Sequence, residues 1–266
     1  MNPLQSIQSI TKQIAKYHPV ESISLKKVKS FLLHSMEQLG LNTEEQFFTR
    51  MIHKKIYTFS NLIGINPYAQ PPYTILCAHV DSPPIYSCPS AIDASASIAI
   101  ILELYKYLIR TKPDIPLLIL FVDGEEAIDG EWQEDNTLSG STYFAKHISP
   151  SLIHKVYVFD LIGGDPIRNR IYAFRDQPHT WSDMKTLSIL NKQYKPIIFI
   201  DPDDHIENNS PLDDHIPFLQ NHMYSMNLIP AVFPDVHHTK YDDYDHVNWS
   251  YVHSFFRVWY DFLRDD

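Results

Sequence analysis

Carboxylates and imidazoles gather at a few points of this chain, each at the end of an apolar run. CAHVDS (77–82) carries His79 and Asp81, and AID (91–93) carries Asp93. FVDGEEA (121–127) places Asp123, Glu125 and Glu126 within four positions, FD (159–160) adds Asp160, and VHH (236–238) adds His237 and His238. Buried carboxylates set side by side repel, and one is pushed toward its neutral form unless a positive charge compensates them. A divalent ion supplies that charge. Imidazole and carboxylate donors together suit a borderline ion, above all Zn²⁺. Glu125 and Glu126, being neighbours, point in different directions. One can therefore bind metal while the other faces a substrate as general base.

The segments that must position these groups alternate in type. Apolar runs predict strands over 56–65, 73–80, 116–122, 155–163, 196–200 and 224–232, with a further short one over 170–174. PLLILFV (116–122) is apolar without interruption, the mark of a strand buried on both faces. Helical periodicity predicts helices over 22–39, 92–110, 140–148, 179–194 and 213–221, and a last one from Trp249. This alternation implies an α/β fold, a three-layer α/β/α sandwich around a mixed, mostly parallel twisted sheet. No linker-like shift in composition appears, so 1–266 reads as a single domain. Ligands of such sheets bind beyond the carboxyl ends of the strands, where the acidic and imidazole residues fall. One acidic strand end alone would be an ordinary solvated loop; several converging on one edge of a sheet would not.

A formal charge of -10 without a basic stretch argues against nucleic acid. No apolar run is long enough for a membrane span. The N-terminus lacks the pattern of a secretory signal, so the chain as it stands reads as cytoplasmic, and as secreted had a signal been removed. Cys77 and Cys88 read as free thiols. Seven glycines against 19 prolines predict stiff loops. His215, His222, His246 and His253 read as structural, with His215 holding its own loop by hydrogen bonds. Asp81 and Asp123 read as groups that orient ligands. The acidic, aromatic stretch YDDYDH (241–246) reads as a solvated face. No G-x-S-x-G elbow supports a serine hydrolase.

The ordered motifs CAHVDS, AIDASAS, DGEEA, LSGS (138–141), FDLIGG, DDHIPFL and FPDVHHT resemble the glutaminyl cyclases, zinc enzymes built on the zinc aminopeptidase fold. The likeness runs from about Ser22 to the C-terminus. DDHIPFL (213–219) is the most telling motif, because the aminopeptidases usually have Ser-Asp-His there. The resemblance implies Asp93, Glu126 and His238 as ligands of one zinc ion per chain, and Glu125 as general base and acid. It implies Asp160 and Asp213 as carboxylates that share protons with Glu125 and hold the substrate amine. It implies Trp132 as an aromatic wall, with His237 standing where a cyclase usually has Trp. His79 matches a metal ligand of the aminopeptidases but not of the cyclases, so His79 and Asp81 are either supporting groups or, for His79, a donor to a second metal. The implied reaction is cyclisation of an N-terminal glutamine of a peptide or protein to pyroglutamate, with loss of ammonia. A two-zinc aminopeptidase using His79, Asp93, Glu126, Asp160 and His238 is the alternative, and a non-catalytic binding protein on the same fold is a third.

Overall fold

A computed structural model describes residues 2–85, 87–133, 135–194 and 197–265. Its core is a six-stranded sheet of β1 (Asn42–Ile52), β2 (Lys55–Ile65), β3 (Tyr73–His79), β4 (Leu117–Val122), β5 (Ile153–Phe159) and β8 (Ser225–Leu228), ordered β1-β2-β4-β3-β5-β8. Strands β4, β3, β5 and β8 run parallel, while β1 and β2 form an antiparallel hairpin whose second strand pairs antiparallel with β4. Two-residue strands β6 (Ala173–Phe174) and β7 (Ile206–Glu207) pair only with each other. The run 170–174 thus yields a short strand outside the main sheet. Pro196 lies outside the described residues, and 197–200 contributes one bridge, from Phe199 to Ile171, rather than a strand.

Every residue of β4 is buried, and alternation sends them to opposite faces. Ile119 and Phe121 join the larger core, under helices α1 (Pro3–Ile14), α2 (Ile23–Gln38), α3 (Ala96–Leu108), α5 (Trp181–Asn191) and α7 (Trp249–Asp265). Leu118, Leu120 and Val122 join the smaller core, under α4 (Ser139–His147) and α6 (His215–Gln220). The result is the expected three-layer α/β/α arrangement. Helix α7 closes it with Trp259, whose ring packs edge-on to Tyr157 of β5 with centroids 4.8 Å apart.

From β3 the chain crosses through α3 to β4 on one side, and then through α4 to β5 on the other. The loops after β3, β4 and β5 therefore diverge around one crevice, the place where ligands bind in such sheets. The helix expected over 92–110 becomes regular only at Ala96. A single wide turn over Ala91–Ser95 precedes it, with Asp93 at φ -112°, ψ 82°. No helix among the described residues is long and apolar enough to cross a membrane.

Candidate active site

The site begins with Asp81, which follows β3 and is 1% exposed. One of its carboxylate oxygens accepts the backbone N–H groups of Gly124 (2.9 Å) and Glu125 (3.2 Å), and the other accepts that of Glu126 (3.2 Å). The turn after β4 is thus wrapped around a single carboxylate, which aims Glu125 and Glu126. Gly124 sits at φ +72°, and a Cβ there would lie 2.4 Å from the ring of Phe59, so only glycine serves. Asp123 has a different task from the one the sequence suggested. Its side chain turns from the crevice to pair with Lys29 of α2, and it accepts the N–H of Ser60 at 2.8 Å. Its counter-charge is a lysine, and among the described residues its carboxylate bonds to no candidate ligand.

Asp93 is held from beneath by Asp242, whose carboxylate accepts the N–H groups of Ile92 (2.7 Å) and Asp93 (3.3 Å). Asp242 is fully buried, the one exception in a stretch, YDDYDH, whose Tyr241, Asp245 and His246 are exposed as expected of a solvated face. Burial, with Asp93 nearby, pushes its carboxyl up to about 8. Nothing local in the sequence marks this residue, because it acts on backbone 150 positions away.

Above this base the donors converge. His79 donates from Nδ1 to the carbonyl of Asp81 at 3.0 Å. Its Nε2 lies 2.9 Å from one oxygen of Asp93 and 3.3 Å from Asp160. The Nε2 of His238 lies 3.3 Å from the second oxygen of Asp93 and 3.2 Å from Glu126. Burial opposes charge on His79, but hydrogen bonds to Asp160 and Asp93 overcome it and raise its pKa well above the ordinary value. Burial opposes charge on His238 too, yet Asp93 and Glu126 raise it to about 10. Burial and then Asp93 push Glu126 up to about 7. For Asp93 burial is outweighed by His238 and His79, which hold it well below the usual range.

These donors fit a zinc ion. Asp93 Oδ2 is buried without a hydrogen-bond partner. The separations of 3.2 and 3.3 Å around His238 Nε2 match the edge of a tetrahedron, about 3.3 Å for zinc–donor distances of about 2.0–2.1 Å. Three groups have donor atoms within 4.8 Å of one another: Asp93, His237 and His238; His79, Glu125 and Glu126; and His79, Asp93 and Asp160.

Beside them opens a cavity of about 450 Å³, lined by Asp93, Glu125, Glu126, Asp160, Asp213 and His238 and walled by Trp132, Leu161, Ile229, Phe233 and His237. Trp132 is 41% exposed at the rim, where Pro83, Pro84, Pro211 and Leu212 complete the mouth. Burial drives Glu125 well above its ordinary pKa, and the carboxylates of Glu126, Asp214 and Asp213 add to the effect although His79 opposes it. Asp213 is raised in the same way, by burial and then by Asp160. Burial thus favours the protonated form of both Glu125 and Asp213. Asp214 faces away, bonded at 2.5 Å by the hydroxyl of Ser141. His215 holds its loop as expected, through Gln177 (2.9 Å) and Ser210 (3.3 Å). Both cysteines are buried and free. Sequence reasoning missed Lys29, Ser141 and Asp242, each of which supports a site residue or its neighbour from a distant segment.

The model of peptidase family M28 matches residues 61–263. Among curated proteins the chain is similar to the glutaminyl-peptide cyclotransferase of Dictyostelium discoideum, 28% identical over 90% of this chain and 78% of that one. Among solved structures it superposes on Macrostomum lignano glutaminyl cyclase with a TM-score of 0.87 at 21% identity, covering 97% of this chain and 88% of that chain. It superposes comparably on a leucine aminopeptidase precursor from Bacteroides thetaiotaomicron, with a TM-score of 0.85 at 17% identity over 99% and 97% of the two chains.

Proposed function

Because the chain belongs to peptidase family M28, we propose that it is a zinc-dependent enzyme that cyclises the N-terminal glutamine of peptides and proteins, releasing ammonia. One observation carries the choice: Asp213 is buried at the cavity with Asp160 and Glu125, and burial beside other carboxylates pushes Glu125 and Asp213 toward their protonated forms. A peptidase that activates water has no need of this extra acid. An α-amine that must be bound, deprotonated and turned back on its own side chain does need it.

Asp93, Glu126 and His238 would hold the zinc. When bound, the ion polarises the side-chain amide of the substrate as a Lewis acid. Asp160 and Asp213 hold the α-amine by accepting its N–H bonds. Glu125 takes one proton from that amine as it attacks the amide carbon, and delivers it to the departing ammonia. Leu161, Ile229, Phe233 and Trp132 keep the side chain curled and exclude competing water. Since nucleophile and electrophile share one residue, this confinement contributes much of the rate by proximity. Residues 1–266 would work as one catalytic domain, since α1 and α2 enter the same core as the strands that carry the site.

The donors of His79, Asp93 and Asp160 favour a second reading, a two-zinc aminopeptidase. Mass spectrometry decides between them. A peptide beginning with glutamine should become lighter by one ammonia with its remaining chain intact. Release of leucine from a leucyl peptide, with no ammonia lost from the glutaminyl one, would overturn the cyclase reading. One zinc per chain at full activity supports the cyclase, and a requirement for two supports the aminopeptidase.

A further inference from the structure

His237 does more than line the pocket. In an extended chain its side chain would point opposite to that of His238. Here His238 takes the left-handed conformation, φ +55°, which costs an L-residue about 1 kcal/mol or more. The turn is fixed on both sides, by the His237 N–H to the Pro234 carbonyl (2.9 Å) and by the Thr239 N–H to the Val236 carbonyl (3.0 Å). Its result is that the two imidazoles stack, with ring centroids 3.8 Å apart and planes inclined by 27°. Both rings then present Nε2 to the same atom: Asp93 Oδ2 lies 3.3 Å from His238 and 3.4 Å from His237. That oxygen has no hydrogen-bond partner. Donor atoms of Asp93, His237 and His238 lie within 4.8 Å of one another.

The geometry points to His237 as a second imidazole ligand of the zinc ion, filling the fourth position until a substrate's amide oxygen takes it. The inference rests on the assignment of Asp93, Glu126 and His238 as ligands and adds one donor to that set. A wall residue needs only a ring. A ring whose nitrogen is aimed, at the spacing of a tetrahedral edge, at an unpartnered carboxylate oxygen is placed as a donor. Catalytic zinc keeps three protein ligands and one exchangeable position, so His237 must also be able to leave. Its side chain is 26% exposed and borders the cavity, which gives it somewhere to go.

The test uses full-length protein loaded with zinc, and two readouts. Zinc-edge X-ray absorption of the wild-type protein should count two imidazoles per ion, falling to one on addition of a glutaminyl peptide in which the α-amine is blocked. Competition with a chromophoric chelator should show His237→Phe binding zinc at least about ten-fold more weakly, as loss of one supporting or ligating group typically does. Phenylalanine keeps the stacked ring and the wall but removes the nitrogen. A single imidazole in the wild-type protein, or unchanged zinc affinity in His237→Phe, overturns the proposal. If His237→Phe does not fold, the wild-type imidazole count decides alone. His238→Phe separates the two levels: wild-type zinc affinity in that variant overturns the underlying ligand assignment as well, whereas loss of zinc there beside an unchanged His237→Phe refutes His237 only.

Discussion

Replacing Asp81 with asparagine sets two magnitudes against each other. The hydrogen bonds forecast a large loss of stability. Three backbone N–H groups bond to the carboxylate, and bonds to charged groups are worth about 1.5–3 kcal/mol each. The titration of Asp81 forecasts otherwise. Burial, with Asp123 adding to it, raises the group from 3.8 to about 6 even with those bonds in place. Its ionised form therefore costs the fold about 3 kcal/mol relative to the neutral acid. Asparagine removes that cost, but it turns an NH₂ toward the N–H of Glu126, and the stranded donor costs about 1–3 kcal/mol. The terms nearly cancel, so metal-free Asp81→Asn should unfold in urea within about 2 kcal/mol of the wild type. The turn that aims Glu125 and Glu126 is nevertheless released at one end. Zinc affinity, read by chelator competition, should fall by about 10–100-fold, and ammonia release should fall with it. A stability loss of about 4 kcal/mol or more would show that the hydrogen bonds outweigh the cost of burying the charge. Wild-type zinc affinity would show that Asp81 does not position the ligand turn.

Glu125→Gln should keep zinc and lose about 10²–10⁴-fold in turnover, whereas Glu126→Gln should lose zinc itself; equal metal loss in both would erase the division of labour between them. Lys29→Met strands the buried charge of Asp123 and should cost about 3–5 kcal/mol in urea unfolding, largely recovered on adding Asp123→Asn; a cost below about 1 kcal/mol would mean that the pair is not needed. His215 is held neutral by burial, its pKa lowered from 6.5 to about 4. Its contribution to stability is therefore complete above 6.5 and is lost as pH falls toward 4, by up to about 3 kcal/mol. His215→Gln should unfold with a shallower pH dependence across that window, and parallel curves for variant and wild type would contradict this.

The parallel strands are legible because burial on both faces leaves little choice of residue: LLILFV could hardly be anything but a buried strand. The edge strand β1 is not, because NTEEQFFTRMI faces water along most of its length and carries no clean alternation. Helix α1 is not among the sequence-based expectations, yet it is legible: Leu4, Ile7, Ile10 and Ile14 recur at helical spacing, and its start carries a signal too. Asn2 caps it through the N–H of Leu4, Pro3 stands at its first position, and Ile7 and Ile14 fall on its buried side. The site divides in the same way. Groups that face the cavity are legible because titratable side chains are costly to bury, and several strand ends bear that cost together only where the groups act as one. Lys29 and Asp242 are not legible, because each acts through space on a segment remote in sequence. Asp242 in particular sits in a run whose composition reads as hydrated. Trp132, inferred only from resemblance, does reach the cavity rim.

Every residue that lines the cavity lies between His79 and His238, yet the first sixty residues are not dispensable packaging. Ile7, Ile14, Leu25, Val28, Leu32 and Met36 belong to the same apolar core as the inner strands, and Lys29 is the counter-ion beneath the acidic turn. A fragment cut just ahead of β3 would keep every reactive group and still expose the side of the sheet those helices cover, with Asp123 charged and unanswered. Anyone trimming this protein for crystallisation, display or fusion should therefore treat its amino-terminal helices as foundations, and place a tag or a linker ahead of them rather than in their stead.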